Sequence, residues 1–555
     1  MEKGKFSNTI KNIIIIAISL VLVVLVLKNA TNYIKEETEG MLNLIINNRN
    51  VTLRLKKDIY INDKNVIYLS KEDIANFFDK YIYYDEENNL IVTTYDKKIA
   101  ELGINENSIK INASTVKILS GAINRDNTIY LPMSELNTVY NIEVDYNKES
   151  QIITFDSLDR EQKKADVSKK LSVKYKPTVF SKTVDKIKKT EKIIVLESEN
   201  GWTKIRTNDG IIGYIKENKV KNIVAVRESM QTEKQEEKIN LVWDYYSEYV
   251  TAPNRNGTTI EGINVVSPSF FTLVSSGNGK VVDNVGTDGL QYIKWAKSNN
   301  YKVWAMVSNN SYKETTNKIL NDYELRQELI ENIVRLAVKY NLDGINIDFE
   351  NMYKEDKDVF SRFIIELAPR LKECGMTLSV DVTAPDGSAN WSLCYNRNVI
   401  GDVADYIVFM AYDQYGTGSN KAGTTAGYNW VENNIKKFIG QEAVKANKII
   451  LGIPMYTRLW KETSNGNATS SVVNMKDVNN VIPNGVEKSW NEELKQYYIE
   501  YNKDNATYKM WIEDEESIRA KVSLVKKYGL AGVAAWEKDR ESANIWNVIR
   551  EELNK

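Results

Sequence analysis

The 555-residue chain contains no histidine. That absence removes every Ser-His-Asp and Cys-His nucleophile and the usual histidine-based zinc sites. Proton transfer falls to Asp, Glu, Tyr or Lys, and neither a metal nor any other cofactor is expected. Cysteine is nearly absent too. Cys374 and Cys394 are the only two; they read as flanking opposite ends of one strand, beyond bridging distance, so no disulfide is expected. Net charge is also missing: Lys+Arg total 74 against Asp+Glu 75, leaving −1. No global basic field points to nucleic acid, and none is expected as a partner.

What is present fits several domains. The length corresponds to roughly three or four, and a hydrophobic fraction of 42% is enough for real cores. Tyr (32) and Trp (11) are plentiful, which suits carbohydrate or interface surfaces. Near the start, Lys3, Lys5 and Lys11 precede an apolar run from Ile13 to Leu27, broken only by Ser19. A basic segment before such a run reads as a secretory signal or a membrane anchor. No A-x-A-like cleavage site follows, which favours an N-terminal transmembrane helix within 1–40 and an extracytoplasmic bulk. A cleaved signal is the alternative.

Residues 41–160 hold an internal repeat. Asn65-Val66-Ile67-Tyr68-Leu69 returns as Asn127-Thr128-Ile129-Tyr130-Leu131. Each copy continues with a short helical pattern, Ser70 to Phe78 and Pro132 to Tyr140, in an α+β module. Lys-rich residues 161–171 read as a linker. Residues 172–224 carry short strand-like segments with turn signals, an all-β module, and the Glu/Lys-rich stretch within 225–238 reads as a second linker. From 239 to 555, apolar strand-like runs alternate with amphipathic helices, the pattern of parallel βα units. Eight runs are counted: Leu241 to Tyr249, Ile263 to Phe271, Lys302 to Asn310, Gly344 to Glu350, Thr377 to Pro385, Tyr406 to Gln414, Lys448 to Tyr456 and Gly529 to Glu537. Eight in about 300 residues fit a (β/α)8 TIM barrel, with its chemistry at the C-terminal strand ends. The stretch from Thr457 to Ala520 is long for a crossover and implies an inserted element.

The chemistry concentrates in Asp343-Gly344-Ile345-Asn346-Ile347-Asp348-Phe349-Glu350. As a strand it sorts Ile345, Ile347 and Phe349 onto one face and Asn346, Asp348 and Glu350 onto the other. A row of buried acids is expensive, so the polar face points to a reactive site rather than a solvated edge. Other strand ends add Met410-Ala411-Tyr412-Asp413, Pro454-Met455-Tyr456-Thr457-Arg458 and Ala535-Trp536-Glu537.

These motifs resemble family 18 glycoside hydrolases, the chitinase-like family that includes spore-cortex N-acetylglucosaminidases. The resemblance covers about 239–555: the D-x-x-D-x-D-x-E signature on the fourth strand, then the motifs of the sixth, seventh and eighth. It implies a hydrolase that cleaves N-acetylglucosamine polymers with retention, the substrate's own acetamido group acting as nucleophile. Glu350 would be the proton donor, its pKa raised by a neighbouring ionised Asp348. Asp348 would orient the acetamido N–H, and Tyr412 would hydrogen-bond its oxygen. Trp536 would floor the cleft, lined by Asn346, Asp413, Tyr456 and Arg458. Asn346 stands where the signature has its second Asp; in the branch acting on cortex and wall glycan, Asn is common there, so activity is still implied. Asp381, inward on the fifth strand, is a candidate compensating carboxylate. The repeat resembles the copper amine oxidase N-terminal-like domain, here without histidine to bind copper; binding and spacing roles are both open. Residues Gly201 to Ile215 resemble a bacterial SH3 domain, a module that often docks on peptidoglycan and otherwise serves as a spacer. Peptidoglycan is thus the favoured substrate. A chitinase, or a non-catalytic glycan-binding surface protein, is the alternative.

Overall fold

The structure, a computed structural model, describes residues 17–21, 40–189, 191–227, 237–247, 249–464 and 466–555. The chain divides into two compact units, one running to residue 234 except for 96–99, the other holding 235–555 with 96–99.

In the first unit the two copies of the repeat lie side by side. Ile67–Ser70 pairs antiparallel with Thr128–Pro132, with Leu69 opposite Leu131. Only the first copy continues into a helix, Lys71–Phe77, where the Ser70 side chain accepts a hydrogen bond from the Asp73 N–H. The second copy has Pro132 at the equivalent place and forms turns over 133–140 instead of the expected helix; proline has no side-chain oxygen to cap the orphan N–H groups. The all-β module is a seven-stranded sheet around Ala165, Val167, Val173, Ile187, Ile193, Ile205 and Ile215. The expected linker 161–171 is corrected here. Gln162–Val167 is a strand paired on both sides, because Ala165 and Val167 alternate inward between charged neighbours. The second expected linker likewise opens on strand Val220–Arg227; 228–236 lie outside the described residues.

The second unit contains eight parallel strands: Ile239–Asp244 (β1), Val265–Pro268 (β2), Lys302–Ser308 (β3), Gly344–Asp348 (β4), Thr377–Val382 (β5), Tyr406–Met410 (β6), Ile449–Pro454 (β7) and Gly532–Trp536 (β8). Each pairs with the next, and β8 pairs with β1, so the sheet closes on itself. The interior is filled by Leu241, Trp243, Val265, Trp304, Met306, Val408 and Ile450. The outward residues of the same strands, Ile345 and Ile347 among them, pack under the helices in the largest core. The alternation read in β4 is therefore the alternation that separates barrel interior from helical layer.

Two helices over β3 and β4 are Tyr323–Lys339 (α1) and Lys357–Glu373 (α2). The Asp322 side chain caps α1 by accepting from the Leu325 N–H, and a buried pair, Arg326 Nε to Glu366 Oε2 at 2.9 Å, ties α1 to α2. The inserted element is an antiparallel sheet of Tyr456–Thr463, Ala468–Asn474, Ser489–Asn491, Gln496–Lys503 and Ala506–Ile512. Gln496 donates to Glu513 Oε1 at 2.7 Å, and Glu513 Oε2 accepts from Lys521 Nζ at 2.8 Å in Glu515–Tyr528 (α3). Gly529 ends α3 in the left-handed region, φ +68°, so β8 begins at Gly532 and not at the expected Gly529. Cys374 is exposed and Cys394 buried; both thiols are free.

The expected transmembrane helix falls on residues outside those described, apart from five helical residues at 17–21. Among the described residues no helix is long and apolar enough to cross a membrane. The structure thus lends the N-terminal anchor no support.

The Glu513–Lys521 pair has almost no solvent contact. Glu513→Ala strands a buried ammonium and is expected to destabilise the barrel by about 3–5 kcal/mol, read as a fall in its thermal transition. A loss under about 1 kcal/mol would show that water reaches Lys521.

Candidate active site

The expected strand through Glu350 stops at Asp348. Glu350 lies two residues beyond, on backbone that the barrel ladder does not hold. Asn309, buried just past the end of β3, replaces the ladder. Its Oδ1 accepts the Glu350 N–H at 3.0 Å, and its Nδ2 donates to the Glu350 carbonyl at 2.8 Å and to Thr316 Oγ1 at 3.0 Å. A side-chain amide carries the same donor and acceptor as a peptide and can stand in for a neighbouring strand. One residue earlier, Tyr395 Oη donates to the Phe349 carbonyl at 2.7 Å, while the Phe349 ring stacks on Phe363 at 5.6 Å. The tip of β4 is thus pinned from both sides.

Below the tip sits Asn346, with no solvent exposure. Its Oδ1 accepts from Trp243 Nε1 at 2.9 Å and Ser267 Oγ at 3.2 Å. Its Nδ2 donates to Ser379 Oγ at 3.0 Å and Asp381 Oδ1 at 2.7 Å. The amide is fully used in crosslinking β1, β2, β4 and β5, so it is a framework residue and lies beneath the expected cleft lining. Asp381 is 1% exposed, and its other oxygen has no protein partner. The same is true of Asp348 Oδ1.

Three carboxyls therefore gather at the mouth: Asp348, Glu350 and Asp381. Burial pushes Asp348 well above the usual carboxylate range, and the charge of Asp381 adds to it. Burial also raises Asp381 well above that range, against the hydrogen bond from Asn346 and with the charge of Glu350. Glu350 is pushed up to about 8, first by burial, then by the charges of Asp348 and Asp413. The expected neighbour effect of Asp348 is present, but desolvation leads. A carboxyl with that pKa keeps its proton at neutral pH.

Above the carboxyls, Tyr412 and Trp536 are partly exposed and pack on the barrel's inner cluster. Burial and the nearby Tyr456, Asp381, Glu350 and Asp348 raise Tyr412 well above its ordinary value, so it remains a phenol able to donate. Trp536 meets Trp243 edge-on at 5.8 Å and Tyr245 at 6.4 Å. Trp243 thus touches both Asn346 and Trp536. Tyr456 and Arg458 are buried on the first strand of the inserted sheet rather than on β7 itself. Both bind Asp413 Oδ1, Tyr456 Oη at 2.8 Å and Arg458 Nη2 at 3.0 Å. Asp413 has a left-handed backbone, φ +55°.

Of the eight residues expected at the site, seven lie at or just past the C-terminal ends of the barrel strands or on the inserted sheet, and Asn346 lies deeper, in the middle of β4. Sequence reasoning missed Asn309, Trp243 and Arg255. Arg255 binds Asp244 Oδ1 at 2.9 Å and Asp539 Oδ2 at 2.9 Å, bracing the ends of β1 and β8. A polar residue just after a strand was the available signal for Asn309; Arg255 lies in a loop with no periodic pattern to mark it.

Three family patterns match the chain. Glycosyl hydrolases family 18 matches residues 241–541, copper amine oxidase N-terminal domain 45–155, and bacterial SH3 domain 169–220. Among individual proteins, the chain is 28% identical over 299 residues to the uncharacterized glycosylase YvbX of Bacillus subtilis, covering 52% of this chain and 84% of that one. It is 24% identical over 257 residues to the cortical fragment-lytic enzyme of Bacillus subtilis, covering 45% of this chain and 58% of that protein. The fold is shared with the spore cortex-lytic enzyme SleL of Bacillus cereus, at TM-score 0.51 and 19% identity over 60% of this chain and 77% of that one. It is shared equally with a chitinase of Chromobacterium violaceum, at TM-score 0.50 and 23% identity over 57% of this chain and 99% of that one. With a catalytic family pattern spanning over half its length, preceded by SH3 and copper amine oxidase N-terminal-like modules, the chain belongs to glycosyl hydrolases family 18 and is a glycoside hydrolase.

Proposed function

We propose that the protein is a retaining N-acetylglucosaminidase of peptidoglycan in cell wall or spore cortex, working by substrate assistance. The observation that carries this reading is Glu350: a carboxyl raised to about 8, at the mouth of the barrel. It gives its proton to the glycosidic oxygen as the C1–O bond breaks. The substrate's acetamido oxygen attacks C1 from the other face, forming an oxazolinium. Asp348, whose Oδ1 is buried without a protein partner, accepts the acetamido N–H. Tyr412 donates to the acetamido oxygen, and Trp536 forms the floor beneath the sugar. Glu350, now ionised, takes a proton from the water that opens the oxazolinium at C1, which returns the β-anomer and restores the acid.

Peptidoglycan is favoured over chitin by the SH3 module at 169–220 and by the cortex-lytic names among the relatives. The chain divides on this reading into a wall-binding half, 41–224, and a catalytic half, 239–555. Asn346 does not abolish turnover, because Asp381 supplies the carboxyl that position 346 lacks. The register of β4 and β5 places Ile347 beside Val380, so Asp348 and Asp381 are the next neighbours, on the inward face.

Glu350→Gln is expected to lower kcat on N-acetylglucosamine oligomers by about 10²–10⁴-fold while glycan binding persists. Proton NMR of the first product of the wild type should show the β-anomer. An unchanged rate, or an α-anomer, removes the reading. Mass spectrometry of muropeptides released from purified peptidoglycan separates a wall enzyme from a chitinase.

Asp381→Asn is expected to slow turnover and displace the pH profile. Asn346→Asp with Asp381→Asn moves the carboxyl back to β4 and should recover both. A wild-type rate and pH profile in Asp381→Asn alone would end the role given to Asp381.

A further inference from the structure

The first unit carries a groove with a chemistry of its own. It lies where the repeat module meets the SH3-like sheet, and the junction is a built one. A buried ion pair joins Arg206 to Asp156. Asn147 Nδ2 donates to Asp209 Oδ1 at 2.7 Å, and Ser150 Oγ to the Asp209 carbonyl at 2.6 Å. At Gly210, φ +81°, a Cβ would come within 2.6 Å of Ile152 Cγ2, so only glycine lets the turn close on the neighbouring strand. The groove left beside this seam measures about 1210 Å³.

Its walls are cationic. Arg49, Arg54, Lys176, Lys182 and Lys204 line it against a single acid, Glu149. Lys204 is in an ion pair with Glu197; among the described residues the other four cations have no carboxylate partner. This imbalance sits on a chain whose net charge is −1. Tyr175 and Tyr214 line the same groove from the SH3-like side, and Ile45 from the repeat side. Asn48, also in the lining, has a buried Oδ1 with no protein partner. Unpaired cations call for anions, aromatic rings suit sugar faces, and the orphan carbonyl calls for a hydroxyl or amide donor.

We infer that this junction groove binds an extended anionic glycan strand of the wall, holding the enzyme on the polymer independently of the catalytic mouth. The ligand's shared chemistry is a sugar backbone bearing regularly spaced negative groups, either carboxylates or phosphodiesters. The inference rests on the wall-directed reading for its biological polymer, but not on the catalytic assignment. Neither module makes the groove alone: Arg49 and Arg54 come from one, Lys176 and Lys182 from the other.

The test is co-sedimentation of the full chain with purified insoluble sacculi, carried out in the Glu350→Gln background so that the polymer stays intact. Arg49→Glu with Lys176→Glu and Lys182→Glu should reduce retention at least tenfold at low salt, and wild-type retention should fall steeply as ionic strength rises. Lys176→Gln with Lys182→Gln, a milder change, should give an intermediate loss. Reversal of Lys117, Lys189 and Lys221, which lie outside the groove, should leave retention intact. Sacculi stripped of phosphodiester polymers by acid, or amidated at their carboxylates, identify which anion is read; loss with either supports the inference. The same charge variants, with Glu350 restored, should turn over soluble N-acetylglucosamine oligomers at the wild-type rate, which separates failure of this inference from failure of the catalytic reading. Wild-type retention in both groove variants, or equal loss from the distant reversal, overturns it.

Discussion

Asn346 sits at the closed centre of the barrel, with both ends of its amide committed. Trp243 and Ser267 occupy the oxygen; Ser379 and Asp381 occupy the nitrogen. The carboxyls above depend on this arrangement. An amide that donates to Asp381 fixes the position of a buried acid without neutralising it. Among the described residues no Lys or Arg pairs with Asp348, Glu350 or Asp381, so burial is not offset by a counter-charge. The cluster answers by retaining protons. With asparagine at position 346, the site keeps three carboxyls, Asp348, Glu350 and Asp381, the last borne by the next strand.

The second requirement is aim. Glu350 stands past the end of its strand, where ladder hydrogen bonds no longer define its direction. Asn309 binds the peptide groups on both sides of its Cα, and Tyr395 holds the carbonyl just before it. These hydrogen bonds go to the backbone, not to the carboxyl itself. Their effect is to make the acid's position a property of the barrel rather than of a loop. The inserted sheet does the same for the opposite wall, where Tyr456 and Arg458 converge on Asp413.

Much of this was legible in the sequence. The alternation of Ile345, Ile347 and Phe349 with Asn346, Asp348 and Glu350 separates barrel interior from helical layer, as the period of a strand requires. Most of the candidate site residues stand out in the sequence because they fall at strand ends; Asn346, in the middle of β4, stands out by alternation instead. What was not legible had physical reasons. The Lys-rich segment at 161–171 looks like a linker by composition, but its few apolar residues keep strand period and find two partners. Pro132 leaves the second repeat without a capping side chain, and turns stand where a helix is expected. The order of effects on Glu350 depends on how much water the barrel excludes, which no local pattern encodes. Asn309 and Trp243 matter through contacts 41 and 103 residues away in sequence.

The account turns on one protonation state: a carboxyl at the barrel mouth that stays neutral where an ordinary glutamic acid is ionised. The pH dependence of kcat/KM on a soluble N-acetylglucosamine oligomer reads it directly, since that profile reports the free enzyme's essential acid. The alkaline limb should fall near pH 8, the value to which Glu350 is pushed up, and should vanish with the residual rate of Glu350→Gln. An alkaline limb near the ordinary carboxylate range, about pH 4–5, would contradict the account.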